Sequence, residues 1–380
     1  MKHNQLASDF RFVCDPIEFS KFTEKSLLQY CLGATLYMPG TKDVTEKVLT
    51  RSFEGLTSMV MCFEDAIDEG DVNEAEDNVL RHLNDLSVAL SDGRITHEDI
   101  PLTFLRVRNT AQFRRFARRL TPEQGAVLSG FVFPKFYSCN ALEYLECLSS
   151  LQQRLDTPLY AMPILEGRDI AYIESRNAEL LRLKELLDPF KDLILNIRVG
   201  GTDFSSLFGV RRNINSSIYN IMTVRDCLSD ILNVFNRAGE GYTVSAPVWE
   251  YFLADISEDL SHLLEESIHT SLLNQNTIIN PAIDGLLREV VSDNANGFVG
   301  KTIIHPSHLR FVNSMQAVTR EEYEDAQQIL NASGGVVKSA QANKMNEINP
   351  HRNWAKRISL RAQAYGVIED ESYYLKLMIS

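Results

Sequence analysis

The sequence predicts an α/β fold, a (β/α)8 TIM barrel with an N-terminal extension and a C-terminal helical extension. Three observations lead there. Eight short apolar runs rich in branched residues alternate with helix-length segments along the chain, the pattern of parallel strands joined by crossover helices, and eight units close a barrel. No GxGxxG or GxxxxGK[ST] follows the first run, which removes the usual reason to expect an open nucleotide-binding sheet. Charged residues stand just past several runs, where a barrel carries its chemistry.

Residues 1–30 show no clear period apart from a short helical pattern in KFTEKSLLQY, and they form the N-terminal extension. The barrel spans 31–330. Its first strand is LGATLYMPG, 32–40, stopped by Pro39-Gly40, after which Val44, Val48 and Leu49 fall at helical spacing. The second strand, SMVMCFEDA at 58–66, places Glu64 and Asp65 at its carboxyl end. A helix follows with Val79, Leu80, Leu83 and Leu86 along one side. TFLRVRN, 103–109, is the third strand and ends in Arg106 and Arg108. GFVFPKF, 130–136, is the fourth and ends in Pro134-Lys135. Between them RRFARR, 114–119, is the solvated face of a helix whose apolar stripe is Phe113, Phe116, Ala117 and Leu120. The fifth strand, MPIL, ends at Glu166 and the sixth, ILNIRVGGT, at Asp203. YTVSAPV at 242–248 is the seventh and GFVGKTIIHP at 297–306 the eighth, with an insertion of two helices, divided at Asn280-Pro281, between them. Residues 331–380, set off by Gly334-Gly335, form a C-terminal helical lid or oligomerisation segment. Its Trp354, Ile358, Leu360 and Ala362 must bury against this barrel, whose mouth it is expected to cover, or against a neighbouring subunit.

The formal net charge is -13 with no compensating basic block, which excludes nucleic acid and an anionic membrane surface as natural partners. The six cysteines form no CxxC pair, so neither a disulfide frame nor a zinc site is expected and the compartment is a reducing one. No apolar run reaches membrane-spanning length and the first residues carry no signal-peptide core, so a cytoplasmic location is expected.

In a β-α-β unit the carboxyl ends of both strands lie on one edge of the sheet, so Glu166 and Asp203 should stand side by side. Either acid alone could be a loop charge, and Asp203 could cap the helix that begins at FSSLFG. Together they offer two oxygen ligands to a hard cation, Mg2+ or Mn2+, with positions left for water and substrate. A 2-oxo acid chelates such an ion, and Arg106 on a neighbouring strand would stabilise the developing oxyanion. With Glu64, Asp65 and Lys135 these residues make a charged ring suited to forming or breaking a carbon–carbon bond. HPSH at 305–308 suggests a histidine pair, but Pro306 disfavours presenting both rings, and His305 reads as structural.

LYMPGTK, VMCFEDAID, FLRVRN, FVFPKF, PILEG, VGGTDFSSLFG and GFVGKTIIHPSHL, in this order over residues 32 to about 330, resemble the HpcH/HpaI aldolase and citrate lyase β-subunit superfamily. The resemblance implies a magnesium-dependent carbon–carbon lyase, trimeric or hexameric, acting on a 2-oxo acid, a hydroxy acid or an acyl-CoA. A coenzyme A thioester enters only through this likeness. It puts the metal ligands at Glu166 and Asp203, the catalytic arginine at Arg106 and two further acids at Glu64 and Asp65, with Phe63 in place of leucine. Arg108 stands where the family has asparagine, and Arg108 and Lys135 are expected to touch substrate. KMNEINPH resembles a tail segment whose acid a neighbouring subunit contributes as acid or base, which places Glu347 among the catalytic candidates. The sequence looks most like a branch found near tellurium-resistance stress genes. The other function class is a catalytically inactive barrel serving as a binding or assembly subunit in a stress response.

Overall fold

The computed structural model describes residues 1–3, 10–252, 271–272, 278–339 and 344–379. Seven parallel strands form one curled sheet in the order β6-β5-β4-β3-β2-β1-β7. They are β1 Ala34–Pro39, β2 Ser58–Cys62, β3 Leu102–Arg106, β4 Gly130–Phe133, β5 Tyr160–Leu165, β6 Arg198–Val199 and β7 Lys301–Ile303. Between β6 and β7 the remaining barrel position is filled by residues 243–246, joined through the parallel bridges Ile197–Val244 and Ala246–Lys301. Hydrogen bonds of 2.9 Å from Ile197 N to Thr243 O and 3.0 Å from Ala246 N to Gly300 O close the ring. The expected seventh strand is thus reduced to single bridges, and Pro247, which has no N–H to donate, stands where it would have continued.

Strand alternation assigns the two faces. Leu36, Met38, Met61, Phe63, Leu105, Phe131, Phe133, Ala161, Leu165, Ile197, Val244 and Ile303 face outward into the layer between sheet and helices. Val60, Leu102, Phe104, Val132, Tyr160, Met162 and Ile164 face inward. The outer helices bury one stripe each. Helix Val72–Ser91 buries Val79, Leu83 and Leu86, and Thr110–Ala117 buries Phe113, Phe116 and Ala117. The basic stretch on that second helix does more than face solvent, because Arg115 and Arg119 both pair with Glu76, which is 1% exposed. Of the two insertion helices, the one at Pro281–Ala295 starts as expected, with the Asn280 side chain accepting from Ile283 N. The other falls almost wholly outside the described residues.

Both extensions gather at the amino end of the barrel. Met1, Phe19, Leu28, Tyr30, Ala364 and Tyr365 share one apolar cluster with the inward residues Leu102, Tyr160, Leu195 and Val299. Helices Arg320–Asn331 and Ile348–Tyr365 pack around Ile329, Ile348, Ala355, Ile358 and Ala362. Arg357 donates to the backbone and side-chain oxygens of Asn236, at the end of the helix that leads into the seventh position. The C-terminal segment therefore floors its own barrel and does not cover its mouth. Trp354, expected in the packed face, is 37% exposed.

Candidate active site

The chain places charged groups at the carboxyl end because inward positions recur every second residue. Glu64 lies two residues past β2, Arg106 is the last residue of β3, Lys135 lies two past β4 and Glu166 one past β5. Asp203 stands in the first turn of helix Gly201–Leu207, whose cap is not made by any side chain. Arg106 ties the group together. Its Nη2 lies 2.5 Å from Glu64 Oε2, 3.1 Å from Asp65 Oδ2 and 3.5 Å from Glu166 Oε1. Lys135 donates from Nζ to Glu64 Oε1, and the same nitrogen is 3.8 Å from Asp65.

Two backbone features shape the Glu166 side. Lys135 holds a left-handed φ of 45°, rare for a residue with a side chain, and this turns its N–H onto Glu166 Oε1 at 2.9 Å. Gly200 leaves the space that the two acids use: a Cβ there would lie 2.4 Å from Glu166 Cβ, 2.5 Å from its Oε2 and 3.1 Å from Asp203 Oδ2. Glu166 is 2% exposed. Burial, opposed by Arg106 and reinforced by the neighbouring Asp203 carboxylate, pushes its carboxyl up to about 8. Burial also raises Glu64 against the pull of Arg106. For Asp65 burial acts upward too, but the hydrogen bond with Glu64 and the charges of Arg106 and Lys135 outweigh it and hold the group low. The two neighbouring acids are thus pushed in opposite directions, Glu64 up and Asp65 down.

The structure thus brings Glu64, Asp65, Arg106, Lys135, Glu166 and Asp203 into one constellation. Arg108 lies behind it, half-buried, its Nη1 3.4 Å from Phe63 O. Glu347 is apart: it pairs with Val336 in an antiparallel hairpin, Val336–Lys338 with Met345–Glu347, and is exposed beside the helices that floor the barrel. His305 accepts from Ser307 N and stacks on Phe252 at 4.3 Å, while His308 is buried against Tyr251 O at 3.1 Å. Each ring has a structural partner.

The model of the family described as the C-C bond lyase of the TIM-barrel fold matches residues 26–367. The chain belongs to that family. Among solved structures, CitE of Mycobacterium tuberculosis in complex with magnesium, acetoacetate and coenzyme A is 18% identical, with a TM-score of 0.48 over 87% of this chain and 97% of that one. RipC from Yersinia pestis is 16% identical, TM-score 0.41, over 76% and 95%. A Haloferax volcanii malate synthase in a pyruvate/acetyl-CoA ternary complex is 15% identical, TM-score 0.45, over 77% and 68%. No curated protein is matched by the sequence. Within this family member the barrel interior also holds groups that the sequence motifs do not single out. Tyr37 faces inward from β1, and Arg198 faces inward from β6 with its guanidinium 5.3 Å from the Tyr37 ring. The signal for Arg198 is present in ILNIRVGG, where a charge sits at an inward position between the outward Ile197 and Val199.

Proposed function

We propose that this family member is a magnesium-dependent carbon–carbon lyase acting on a 2-oxo or hydroxy acid, alone or as its coenzyme A thioester. The observation that carries the reading is the Glu166–Asp203 pair. A buried carboxyl raised to about 8 beside a second carboxylate, over a glycine whose missing Cβ leaves room for both, is a donor set of hard oxygens short of positive charge, and that fits Mg2+ or Mn2+. Glu166 and Asp203 would hold the ion. When bound it supplies Lewis-acid polarisation of a substrate carbonyl.

The remaining work belongs to the chain's own side chains. Arg106 is fixed through Nη2 by three acids at the carboxyl end of the barrel, so its guanidinium is held beside the place where a substrate oxygen would lie. Such a held donor stabilises charge as it develops and needs no reorganisation. Glu64 is pushed up by burial and Asp65, whose side chain is 56% exposed, is held low, and carboxyls of opposed tendency side by side are equipped to pass a proton at a substrate carbon or oxygen. Lys135 holds Glu64 in place and presents its ammonium at the mouth, where a substrate carboxylate would meet it. Glu347 enters this scheme only through a homo-oligomer in which a neighbour's hairpin reaches the mouth. Glu347→Gln would then slow turnover in the assembled protein.

The test incubates the protein with magnesium and pyruvate, oxaloacetate or acetyl-CoA in deuterated water and follows exchange next to the carbonyl by NMR. Exchange that is lost in Glu166→Ala and Asp203→Ala, together with magnesium binding by calorimetry, supports the lyase. Intact magnesium binding without exchange across the panel returns the chain to a barrel that binds without catalysis.

A further inference from the structure

One buried charge in the barrel takes no part in the cluster described above. Arg198 is 1% exposed and lies on the inward face of β6, two residues before Gly200, in register with Ile164, two before Glu166. It therefore sits one inward layer below the two acids. Its described contacts are hydroxyls, a thioether and a ring: Thr302 Oγ1 at 2.6 Å, Thr35 Oγ1 at 3.5 Å, Met162 Sδ at 3.9 Å, and Tyr37 through both its ring and its hydroxyl. Its Nε is buried and meets no acceptor. Arg212 and Lys301, also buried, face the Glu289 carboxylate, whereas Arg198 meets no carboxylate among the described residues. A buried guanidinium held only by neutral groups is costly to keep unless an anion completes it.

The surroundings of Arg198 suit an incoming anion. The barrel interior is divided into two halves. On β2 to β5 it is lined by Val60, Phe104, Val132, Met162 and Ile164. From β6 round to β1 it is lined by Asn196, Arg198, Thr243, Ser245, Thr302 and Thr35, all hydrogen-bonded within the barrel. Asn196 Oδ1 is buried and meets no donor. Tyr37 and Thr302, which flank the guanidinium, are partly exposed, so they stand between Arg198 and the mouth.

We propose that Arg198 is a specificity-determining residue: its guanidinium receives a second carboxylate of the substrate, so that the acid acted on is a dicarboxylate spanning the strand-end cluster and the polar half of the barrel. This rests on the lyase reading above. The planar fork of arginine pairs two donors with one carboxylate, which a lysine cannot reproduce.

The experiment uses the full chain with magnesium and measures the affinities of pyruvate, oxaloacetate and 2-oxoglutarate by calorimetry. One of the two dicarboxylates should bind at least about tenfold more tightly than pyruvate, as a charge-assisted pair in a buried site provides. In Arg198→Met that preference should fall to within about twofold of unity, and Arg198→Lys should restore only part of it. Pyruvate bound as tightly as both dicarboxylates by the unaltered chain overturns the proposal, and so does a preference that survives in Arg198→Met. If Arg198→Met does not fold, the wild-type ratio and Thr302→Val, which removes the hydroxyl orienting the guanidinium, still decide the matter. A Thr302→Val chain that keeps the full preference counts against the proposal. Magnesium binding with no acid bound by any variant overturns the lyase reading together with this one, whereas binding without preference overturns this one alone.

Discussion

Gly200 carries more of the site than its lack of a side chain suggests. A methyl group there would strike Glu166 Cβ, which is fixed by the strand below it, so the carboxyls would have to part. Gly200→Ala should lower magnesium affinity by at least about tenfold, read by calorimetry, with the circular dichroism spectrum preserved. A second residue-scale expectation concerns His82. It is 1% exposed, its Nδ1 bonds Thr45 Oγ1 at 2.9 Å, and burial lowers its pKa from 6.5 to about 4. The folded chain resists a proton that the unfolded chain accepts. Stability carried by the neutral ring is full above 6.5 and is lost as pH falls from there through about 4, by about 1.4 kcal/mol per pH unit. Urea denaturation of wild type and His82→Gln at pH 7, 6 and 5 should show the wild-type advantage shrinking, with the larger part of the loss between pH 6 and 5. At this scale Glu166 and Asp203 can be read from the sequence because each follows an apolar run that ends abruptly. Arg198 is legible only once the run is divided into inward and outward residues. The left-handed turn of Lys135 leaves no mark in FVFPKF.

At the scale of elements the ring is uneven. β1 to β5 pair over several residues each, β1 with β2 from Thr35–Ser58 to Pro39–Cys62. The seam between β6 and β7 is held by single bridges and by side chains such as Ser245, which donates to Val299 O at 3.0 Å. Amide hydrogen exchange should therefore find Ile197, Ser245 and Ala246 less protected than Val60 and Met61, by about tenfold or more if the seam opens locally. Equal protection would mean that the barrel opens only as a whole. On the other side Gly130, at a φ of 155°, admits the Tyr160 carbonyl to within 1.9 Å of where a Cβ would stand. Gly130→Ala should cost upwards of about 3 kcal/mol, measured by urea denaturation. The strands themselves are legible because branched residues and breakers bound them. The weakness of the seventh position is not, since YTVSAPV is as apolar as its neighbours and its hydroxyls bond to backbone only when the ring has closed.

At the scale of the whole molecule the tail is where pattern and position part company. Ile358 and Ala362 show that the last long helix buries one face, but which end of the barrel receives it depends on contacts such as Arg357 with Asn236, 121 residues away in sequence. Tyr365 is the anchor, 1% exposed and stacked on His3 at 4.0 Å between ring centroids. Tyr365→Ala should cost about 3–5 kcal/mol, a loss that a mobile flap over the mouth would not produce. That contact joins residues 3 and 365, among the most distant pairs in the chain. During synthesis the eight barrel positions and all the charged groups at their carboxyl ends leave the ribosome before the piece that floors them. Until Tyr365 emerges, Leu102, Tyr160 and Leu195 have no complete cover, and the nascent chain passes through an interval of aggregation risk that length alone would not announce. Ribosome-stalled chains ending just before residue 365 should be cut by added protease, and chains carrying it well clear of the ribosome should resist.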